Sequence, residues 1–481
     1  MTILSVRPAA AAAPDPMPGA AQAGPRRSSR DAGIDAARAA CLVVVFVLHA
    51  MMVGVSVGPS GPVLENAMDG WGGFAAATWV MQVMPLFFVI GGYAGWSAWT
   101  SQRARGATAA SFVRGRLERL VRPAIALVAV VAAALAALAA AGVAPEIVAT
   151  AGFRIGQPLW FLAVYLACAA LVPLMVALHE RMPLATVAGL VAVVVGVDLV
   201  RLQTGIEGIG FANLLFVWLL VQQFGFLLAD GSVDRLARRT RFGLGVGALV
   251  GLAALTLVGP YSPDLLENLN PPTLALVVLG VAQLMLFSLV RAPLRRWAER
   301  PRPSRLVARF GEWGMTLYLW HLPAFVALAG MLLVLHGAVG LDLPEPLSEA
   351  WWATRPAWLV VAALATAVLV RVFARFERGR GGGRGRVRAG GGPARAEGGI
   401  RRPAGMRMPQ VPRMPRVPVA VAVPAGIIGV GVALVIGFAP LPAMISAALL
   451  LVALRGSSRR SVAPAAASAI AASPGRVAVT R

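Results

Sequence analysis

The chain has 481 residues, of which 58% are hydrophobic and only 14% are charged, so it is too apolar for an ordinary soluble protein of this size. A formal net charge of +23 would suggest nucleic-acid binding in a soluble protein, but here all 44 basic residues are arginines, concentrated in alternate loops between apolar segments. The positive-inside rule accounts for that arrangement, so we predict a polytopic membrane protein and no nucleic-acid partner.

An N-terminal tail, residues 1–36, precedes the first apolar segment and is rich in Ala, Pro, Gly and Arg. It exceeds the usual n-region of a signal peptide, and no convincing cleavage site follows the apolar segment. We therefore predict a disordered cytoplasmic tail and an uncleaved first helix. The exclusive use of arginine as basic residue is typical of a GC-rich bacterial genome and favours the bacterial plasma membrane as the location.

Residues 37–376 contain ten apolar segments that are candidates for crossing about 30 Å of hydrocarbon. They lie at 39–58, 74–98, 123–142, 158–178, 184–200, 211–229, 242–259, 272–290, 313–335 and 357–374. Arginines cluster between the second and third segments and between the eighth and ninth, whereas Glu65, Asp264 and Glu345 lie in loops with few arginines. The predicted fold class is all-α, a polytopic ten-helix membrane bundle with a cytoplasmic N-terminus.

The first predicted span carries an arginine and a histidine eleven residues apart. On a helix this separation is three turns plus about 20°, so Arg38 and His49 share one face and lie about 16 Å apart along the axis. We expect Arg38 at the membrane edge and His49 near the middle. An ionisable residue at that depth usually faces a cavity or a partner, which makes His49 a functional candidate.

The second predicted span and the loop after it contain two further motifs. Gly91 and Gly92 allow close approach of another helix or local unwinding. In the loop, Arg116, Arg119 and Arg122 recur at three-residue spacing, which on a helix aligns three guanidinium groups along one side and suits phosphate oxygens. Retention of topology by positive charge is the alternative interpretation.

Polar and aromatic side chains recur near the predicted ends of later spans. Trp160 lies in GQPLWFLAVYL, and Glu312, Tyr318 and His321 lie in GEWGMTLYLWHLPAF. Tyr318 and His321 are neighbours at i, i+3 near the cytoplasmic end of the ninth span, whereas Glu312 faces the other side of that helix. An interfacial aromatic belt is the alternative for this cluster. His179, at a cytoplasmic helix end, is predicted to be a surface residue.

The C-terminal part changes composition twice. Residues 377–418 are rich in Gly, Pro and Arg, which predicts a disordered linker, whose arginines retain topology or attract anionic lipid headgroups. Residues 419–455 are apolar and broken at 439–442, which predicts one or two further helices in an apolar hairpin. Residues 456–481 are predicted to be a disordered tail.

Several classes of chemical site are not favoured by the sequence. Cys41 and Cys168 fall within predicted spans and are interpreted as packing residues. The four histidines are scattered and no CxxC pair is present, so we predict no metal site. Neither a GxSxG nucleophile elbow nor a Walker A loop occurs, which weighs against a serine hydrolase or an ATP-driven pump.

Five motifs, in this order, resemble those of the membrane-bound acyltransferase 3 family over about residues 30–376. They are IDAARAACLVVVFVLHA with Asp35, Arg38 and His49, then FFVIGGY, the R-x-x-R element, LWFL and LYLWHLP. The R-x-x-R element matches Arg116 with Arg119 or Arg119 with Arg122, and Gly91 takes the place of a serine. Many members carry a fused SGNH esterase-like domain, where this chain has the linker and hairpin, so the resemblance implies a stand-alone membrane acyltransferase.

The resemblance implies transfer of an acyl group, expected to be acetyl, from cytoplasmic acyl-CoA to a hydroxyl of a cell-envelope glycan, glycolipid or exported molecule. Acyl-CoA would be a co-substrate, with no permanently bound cofactor. The expected partners are that donor, a glycan, lipid-linked or small-molecule acceptor, and membrane lipids. His49 would act as general base or transient acyl carrier. The implied residues are His49 and Arg38 as catalytic, Arg116, Arg119 and Arg122 as binding acyl-CoA, and Asp35, Trp160, Glu312, Tyr318 and His321 as support.

Two other functions remain open. A secondary transporter or exporter of a small envelope precursor would also use buried polar groups, such as Asp198, Gln222, Gln223 and Gln283, although no convincing internal repeat is found. A non-catalytic envelope scaffold would not need Arg38 and His49 in register.

Overall fold

The computed structural model describes residues 31–58, 61–377 and 417–457. These residues form two strands, β1 (Val53–Gly58) and β2 (Gly61–Asn66), and fifteen helices. The helices are α1 (Ala32–Met51), α2 (Phe74–Met81), α3 (Met84–Arg103), α4 (Ala109–Ala140), α5 (Pro145–Gly156), α6 (Leu159–Arg181), α7 (Pro183–Thr204), α8 (Glu207–Gly210), α9 (Asn213–Ala229), α10 (Arg238–Leu257), α11 (Leu274–Ala298), α12 (Pro301–Val339), α13 (Glu349–Glu377), α14 (Val419–Val435) and α15 (Pro440–Ser457).

Ten helical segments in the described part of the chain are long and apolar enough to cross a membrane. Three of them are interrupted: α2 is followed by α3, α5 by α6, and α8 by α9. The prediction of an all-α, polytopic membrane protein is therefore confirmed. Of the predicted tails and linker, residues 1–30, 378–416 and 458–481 lie outside the described residues.

The first helix lies seven residues earlier in the chain than predicted. Asp31 caps its N-terminus by accepting hydrogen bonds from the backbone N–H groups of Gly33 and Ile34, at 2.8 and 3.4 Å, so residues 32–36 are helical rather than part of a disordered tail. The helix ends at Met51, which places His49 in its last turn.

An antiparallel hairpin of β1 and β2, which was not predicted, follows α1. Val53 pairs with Asn66, and the pairing continues to Gly58 and Gly61. The sequence VGVSV was interpreted as the end of a span because it is apolar, but its β-branched residues at alternate positions favour a strand.

Two helices extend well beyond their predicted ends. Helix α4 begins at Ala109, because the Thr108 hydroxyl caps it and the arginine repeat continues its amphipathic pattern, where a loop was predicted. Helix α12 has 39 residues and begins at Pro301, twelve residues before the predicted start of the ninth span at residue 313. His321 is in the middle of α12.

Helices α3 and α9 cross with their backbones in contact. A Cβ atom on Gly92 would lie 2.2 Å from the carbonyl oxygen of Gln222, and one on Gly225 would lie 2.1 Å from that of Val89. Only glycine fits at either position, which confirms the predicted close approach for Gly92. Gly91 points elsewhere, since its Cβ would lie 3.3 Å from the ring of Tyr165.

Buried polar side chains connect helices that are distant in sequence. Asp198 accepts hydrogen bonds from Asn213 Nδ2 at 2.9 Å, Tyr261 Oη at 2.8 Å and the Leu274 N–H at 2.8 Å. Gln283 accepts from the Leu86 N–H at 2.8 Å. These bonds satisfy the polar groups inside an apolar bundle.

His179 is buried, with 3% of its surface exposed, so the prediction of a surface position is wrong. Its Nδ1 lies 2.9 Å from Gln223 Oε1, and its Nε2 lies 3.1 Å from Asp230 Oδ2. Trp96 and Phe226 pack edge-on against the ring. The error arose because the charged neighbours of His179 suggested solvent, whereas the ring itself faces α9.

Helices α14 and α15 form an antiparallel pair that packs against α4 and α6. The buried face of α14 carries small residues, Ala422, Gly426, Gly429 and Ala433, which let the helices approach closely. Ser446 on α15 donates a hydrogen bond to the Gly429 carbonyl oxygen at 2.7 Å. The apolar C-terminal region therefore forms two helices and is part of the bundle.

Candidate active site

A cavity of about 2260 Å³ runs through the bundle, lined mainly by α1, α3, α4 and α12. One end, which we call the arginine end, is lined by Arg38, Arg116, Arg119 and Arg122; the other, the hairpin end, by Gly54, Glu65 and Asn66 of the β1–β2 hairpin. Pockets for a single small ligand are typically about 300–1,000 Å³. This cavity has room for two substrates at once.

A pair of histidines from α1 and α12 lies at this cavity. His49 Nδ1 and His321 Nε2 are 2.8 Å apart, and the rings are nearly parallel, at 4° with centroids separated by 5.1 Å. His49 is partly exposed and lines the cavity, whereas His321 lies behind it with 1% of its surface exposed. The two residues are 272 positions apart in sequence.

The hydrogen-bond partners fix the protonation of the pair. His321 Nδ1 lies 2.7 Å from the carbonyl oxygen of Tyr318, which can only accept, so Nδ1 carries the proton. In a neutral ring, His321 Nε2 is then an acceptor and receives its hydrogen bond from His49 Nδ1–H. His49 Nε2 keeps its lone pair, and it can act as a base or as a nucleophile.

Aromatic side chains hold the pair in place. Phe325 packs edge-on against His321 at 5.5 Å and against Phe46 at 5.1 Å. Tyr318 donates a hydrogen bond from its hydroxyl to the Pro158 carbonyl oxygen, which ties α12 to the break between α5 and α6. Trp160, just after that break, lines the cavity.

The arginine end carries an excess of positive charge. Arg38 pairs with Asp35 at 3.3 Å, and Arg122 with Glu118 at 2.6 Å. Within the described residues, Arg116 and Arg119 have no carboxylate within salt-bridge distance; the Arg116 guanidinium lies 5.1 Å from the Phe112 ring centroid. Two guanidinium groups that face the cavity are thus available to an anionic ligand.

The structure brings the predicted site residues to one cavity. Those that line it are Asp35, Arg38, His49, Arg116, Arg119, Arg122, Trp160, Glu312 and Tyr318. His321, which was predicted only as a supporting residue, is in direct contact with His49.

Sequence reasoning missed an ionic cluster at the arginine end. Arg291 of α11 donates to Asp31 Oδ2 from Nε at 3.0 Å and from Nη2 at 2.7 Å, and Nη2 also donates to Tyr93 Oη at 2.9 Å. Its Nη1 lies 3.3 Å from Asp234 Oδ2. Arg291 was interpreted only as one of many topology-determining arginines; in the structure it attaches the start of α1 to α3 and α11.

The polar groups that would suit a transport pathway lie away from the cavity. Among the described residues that line it, none is Asp198, Gln222, Gln223 or Gln283. Gln222 donates to the Cys168 carbonyl oxygen at 3.3 Å, and Gln283 donates to that of Gln82 at 2.7 Å. Their observed contacts hold helices together. Within the same described ranges, no group of three or more His, Cys, Asp or Glu residues is placed to hold a metal ion.

Most of the chain matches a known protein family. A family model described as an acyltransferase domain, of the Acyl_transf_3 type, matches residues 31–374. The match includes the histidine pair and the arginine end of the cavity, and it stops before α14. No curated protein and no solved structure matches the chain.

Proposed function

We propose that this chain moves an acyl group from acyl-CoA to a hydroxyl group of an acceptor. The chain belongs to the acyltransferase 3 family and is a multi-pass membrane acyltransferase. The observation that carries the proposal is the hydrogen-bonded chain from His49 through His321 to the Tyr318 carbonyl oxygen. It leaves His49 Nε2 unprotonated beside a cavity that has room for donor and acceptor together.

In the proposed reaction, His49 is the general base. Its Nε2 takes the proton of the acceptor hydroxyl while the hydroxyl oxygen attacks the thioester carbonyl carbon. The new C–O bond forms and the C–S bond breaks; the thiolate of coenzyme A leaves and takes the proton from His49. The products are the acyl ester and free coenzyme A. His321 Nε2 accepts the Nδ1–H of His49 throughout, which orients the ring and stabilises its cation.

The same nitrogen could instead attack the thioester and carry the acyl group on His49 before the acceptor arrives. Incubation of the protein with radiolabelled acetyl-CoA in the absence of acceptor separates the two routes. A transient acyl-imidazole on the protein supports the carrier route, and its absence under single-turnover conditions supports the general base.

The arginine end supports binding of the donor. The phosphates of acyl-CoA match guanidinium groups, and Arg116 and Arg119 have no carboxylate partner in the described structure. Arg38 lies within electrostatic range of Arg116 and extends this positive region along α1 towards His49. A thioester held by its phosphates at this end would approach the histidine pair from that side.

The distribution of arginines between loops supports an orientation of the protein in the membrane. The positive-inside rule puts the arginine end in the cytoplasm, together with the N-terminus, where acyl-CoA is made. The hairpin end then faces outward, and the acceptor is a cell-envelope glycan, glycolipid or exported molecule that enters from there. We propose the bacterial plasma membrane as the site of action.

Acyl transfer in membranes tests the proposal. Membranes that contain wild-type protein, His49→Ala or the double variant Arg116→Ala/Arg119→Ala are supplied with radiolabelled acetyl-CoA and with lipid and glycan extracts. We expect label in an extract with wild type and with the control His336→Ala, whose histidine lies near the end of α12 away from the cavity, and none with the other two variants. Equal transfer by His49→Ala would overturn the assignment of the base.

A further inference from the structure

The cavity continues past the arginines of α4 to the turn that joins α3 to α4. Ser101 and Gln102 line it from the end of α3, Arg105 lines it from the turn, and Ser111 lines it from the start of α4. We call these four residues the α3–α4 corner. None of them was among the site residues predicted from the sequence.

The corner offers hydrogen-bond donors with no carboxylate to neutralise them. Arg105 Nη1 donates to Ser101 Oγ at 2.9 Å, which orients the guanidinium group and leaves its other N–H groups available. Across residues 31–58, 61–377 and 417–457, no carboxylate lies within salt-bridge distance of Arg105. Arg103 differs, because it pairs with Glu180 at 2.6 Å and does not line the cavity. The corner can therefore receive an anionic group of a ligand.

Distances along α1 match the length of the pantetheine arm of coenzyme A. This arm joins the thioester sulfur to the first phosphorus through about thirteen bonds, or about 16 Å at about 1.2 Å per bond. Arg38 lies about 16 Å from His49 along the helix axis, and it is within electrostatic range of Arg116. A donor with its thioester at His49 therefore has its pyrophosphate beside Arg38 and Arg116.

The next anionic group of coenzyme A, the 3′-phosphate, falls at the corner. The ribose separates this group from the pyrophosphate by about six bonds, or about 7 Å. Ser111 precedes Arg116 by five residues, or about 7.5 Å along α4. Because α1 and α4 both begin at the arginine end, this step leads away from His49 and towards Arg105.

We propose that the α3–α4 corner binds the 3′-phosphate of coenzyme A, with Arg105 as its main contact. The inference rests on the proposed function and narrows the donor class. Free acyl-CoA carries a 3′-phosphate, whereas the phosphopantetheine arm of an acyl carrier protein does not. A guanidinium group with hydroxyl and amide donors beside it suits a phosphate. The corner therefore selects acyl-CoA over a carrier-bound acyl group.

Binding to the full chain in detergent tests the inference without an acceptor. Coenzyme A and dephospho-coenzyme A, which lacks only the 3′-phosphate, are titrated into wild type and Arg105→Ala by calorimetry. We expect wild type to bind coenzyme A at least about tenfold more tightly, the usual contribution of hydrogen bonds to a charged group. In Arg105→Ala the two Kd values should agree within about twofold. Its Kd for dephospho-coenzyme A should equal that of wild type, which also shows that the variant is folded.

Two further variants locate the phosphate. Arg103→Ala is the matched control, since this exposed arginine lies two residues away and outside the cavity, and it should keep the preference of wild type. Arg116→Ala should weaken both ligands by a similar factor, because both carry the pyrophosphate. A preference for coenzyme A that persists in Arg105→Ala would overturn the assignment, and its loss in Arg116→Ala would move the 3′-phosphate to the R-x-x-R element.

The remaining outcomes separate this inference from the proposed function. Equal affinity of wild type for the two ligands would overturn the inference and leave the proposed function standing. Tighter binding of a phosphopantetheine-loaded acyl carrier protein than of coenzyme A would overturn it in favour of a carrier-bound donor. No binding of either form of coenzyme A would overturn the donor in the proposed function, and this inference with it.

Discussion

Two histidine sites inside the bundle differ in what their ring nitrogens face. At His179, both nitrogens lie against side-chain oxygens, Gln223 Oε1 at 2.9 Å and Asp230 Oδ2 at 3.1 Å, and the residue does not line the cavity. At His49, one nitrogen is bonded to His321 and the other has its lone pair free at a cavity. A position inside the bundle therefore does not indicate that a histidine is catalytic. A ring nitrogen that has a free lone pair and faces a cavity is the better indicator.

The partner carboxylate makes the first site a structural one. Burial alone would raise the pKa of Asp230, but hydrogen bonds from Ser232 and His179 outweigh it and hold the pKa below its usual value. Asp230 is therefore charged at neutral pH and is a strong hydrogen-bond acceptor for Nε2 of His179. Because the other ring nitrogen faces Gln223, neither nitrogen is left to act as a base.

The largest expected difference between the two histidine sites is the effect of a substitution on the rate of acyl transfer. His49→Ala should lower kcat by about 10²–10⁴-fold, the usual contribution of a general base, with little change in the midpoint of thermal unfolding. Steady-state kinetics and thermal unfolding in detergent measure both quantities. A variant that unfolds early at unchanged specific activity would show that His49 is structural like His179.

Removing the second histidine of the pair should have a smaller effect. His321→Ala takes away the acceptor that orients His49, and we expect kcat to fall about 10–100-fold while the KM for acyl-CoA stays within about twofold. His321→Gln, whose amide oxygen can accept the same hydrogen bond, should recover part of the loss. Equal losses in the two variants would mean that the ring is needed for packing alone.

At His179, which does not line the cavity, the expected effect of a substitution is on stability. His179→Ala leaves Gln223 and Asp230 without their partner and should lower the free energy of unfolding by about 2–4 kcal/mol. The specific activity of the folded fraction should match wild type. Thermal unfolding and activity normalised to folded protein test this pair of outcomes, and a loss of rate at unchanged stability would reverse the assignment.

The smallest effect is expected at Arg291. Its contacts hold helices together, as those of His179 do, but two of its partners, Asp31 and Tyr93, line the cavity, as His49 does. Arg291→Lys keeps the charge and loses the forked contact to Asp31 and Tyr93, so the start of α1 and with it Arg38 should be less well placed. We expect the KM for acyl-CoA to rise about threefold to tenfold at nearly constant kcat. The control for loss of a guanidinium is Arg181→Lys, at an exposed residue that does not line the cavity; its KM for acyl-CoA should equal that of wild type.

Features carried by one helix could be predicted from the sequence, and features made by two distant helices could not. The apolar segments predicted the ten spans, and helical spacing placed Arg38 and His49 on one face. The contact of His49 with His321, the burial of His179 and the attachment of Asp31 to Arg291 depend on how helices pack. Periodicity within a segment contains no information about its neighbours, and the β1–β2 hairpin was hidden because an apolar strand resembles the end of a span.

The glycine contact between α3 and α9 determines which parts of the protein can move. Backbones that touch at Gly92 and Gly225 leave no side chains to repack, so these two helices are fixed against sliding or rotation about each other. Where α12 packs on α1, a side chain lies between the backbones instead, since a Cβ atom on Gly314 would lie 3.1 Å from the Leu42 side chain. Side chains can repack, so we expect any widening of the cavity for substrates to occur between α1 and α12 and not between α3 and α9.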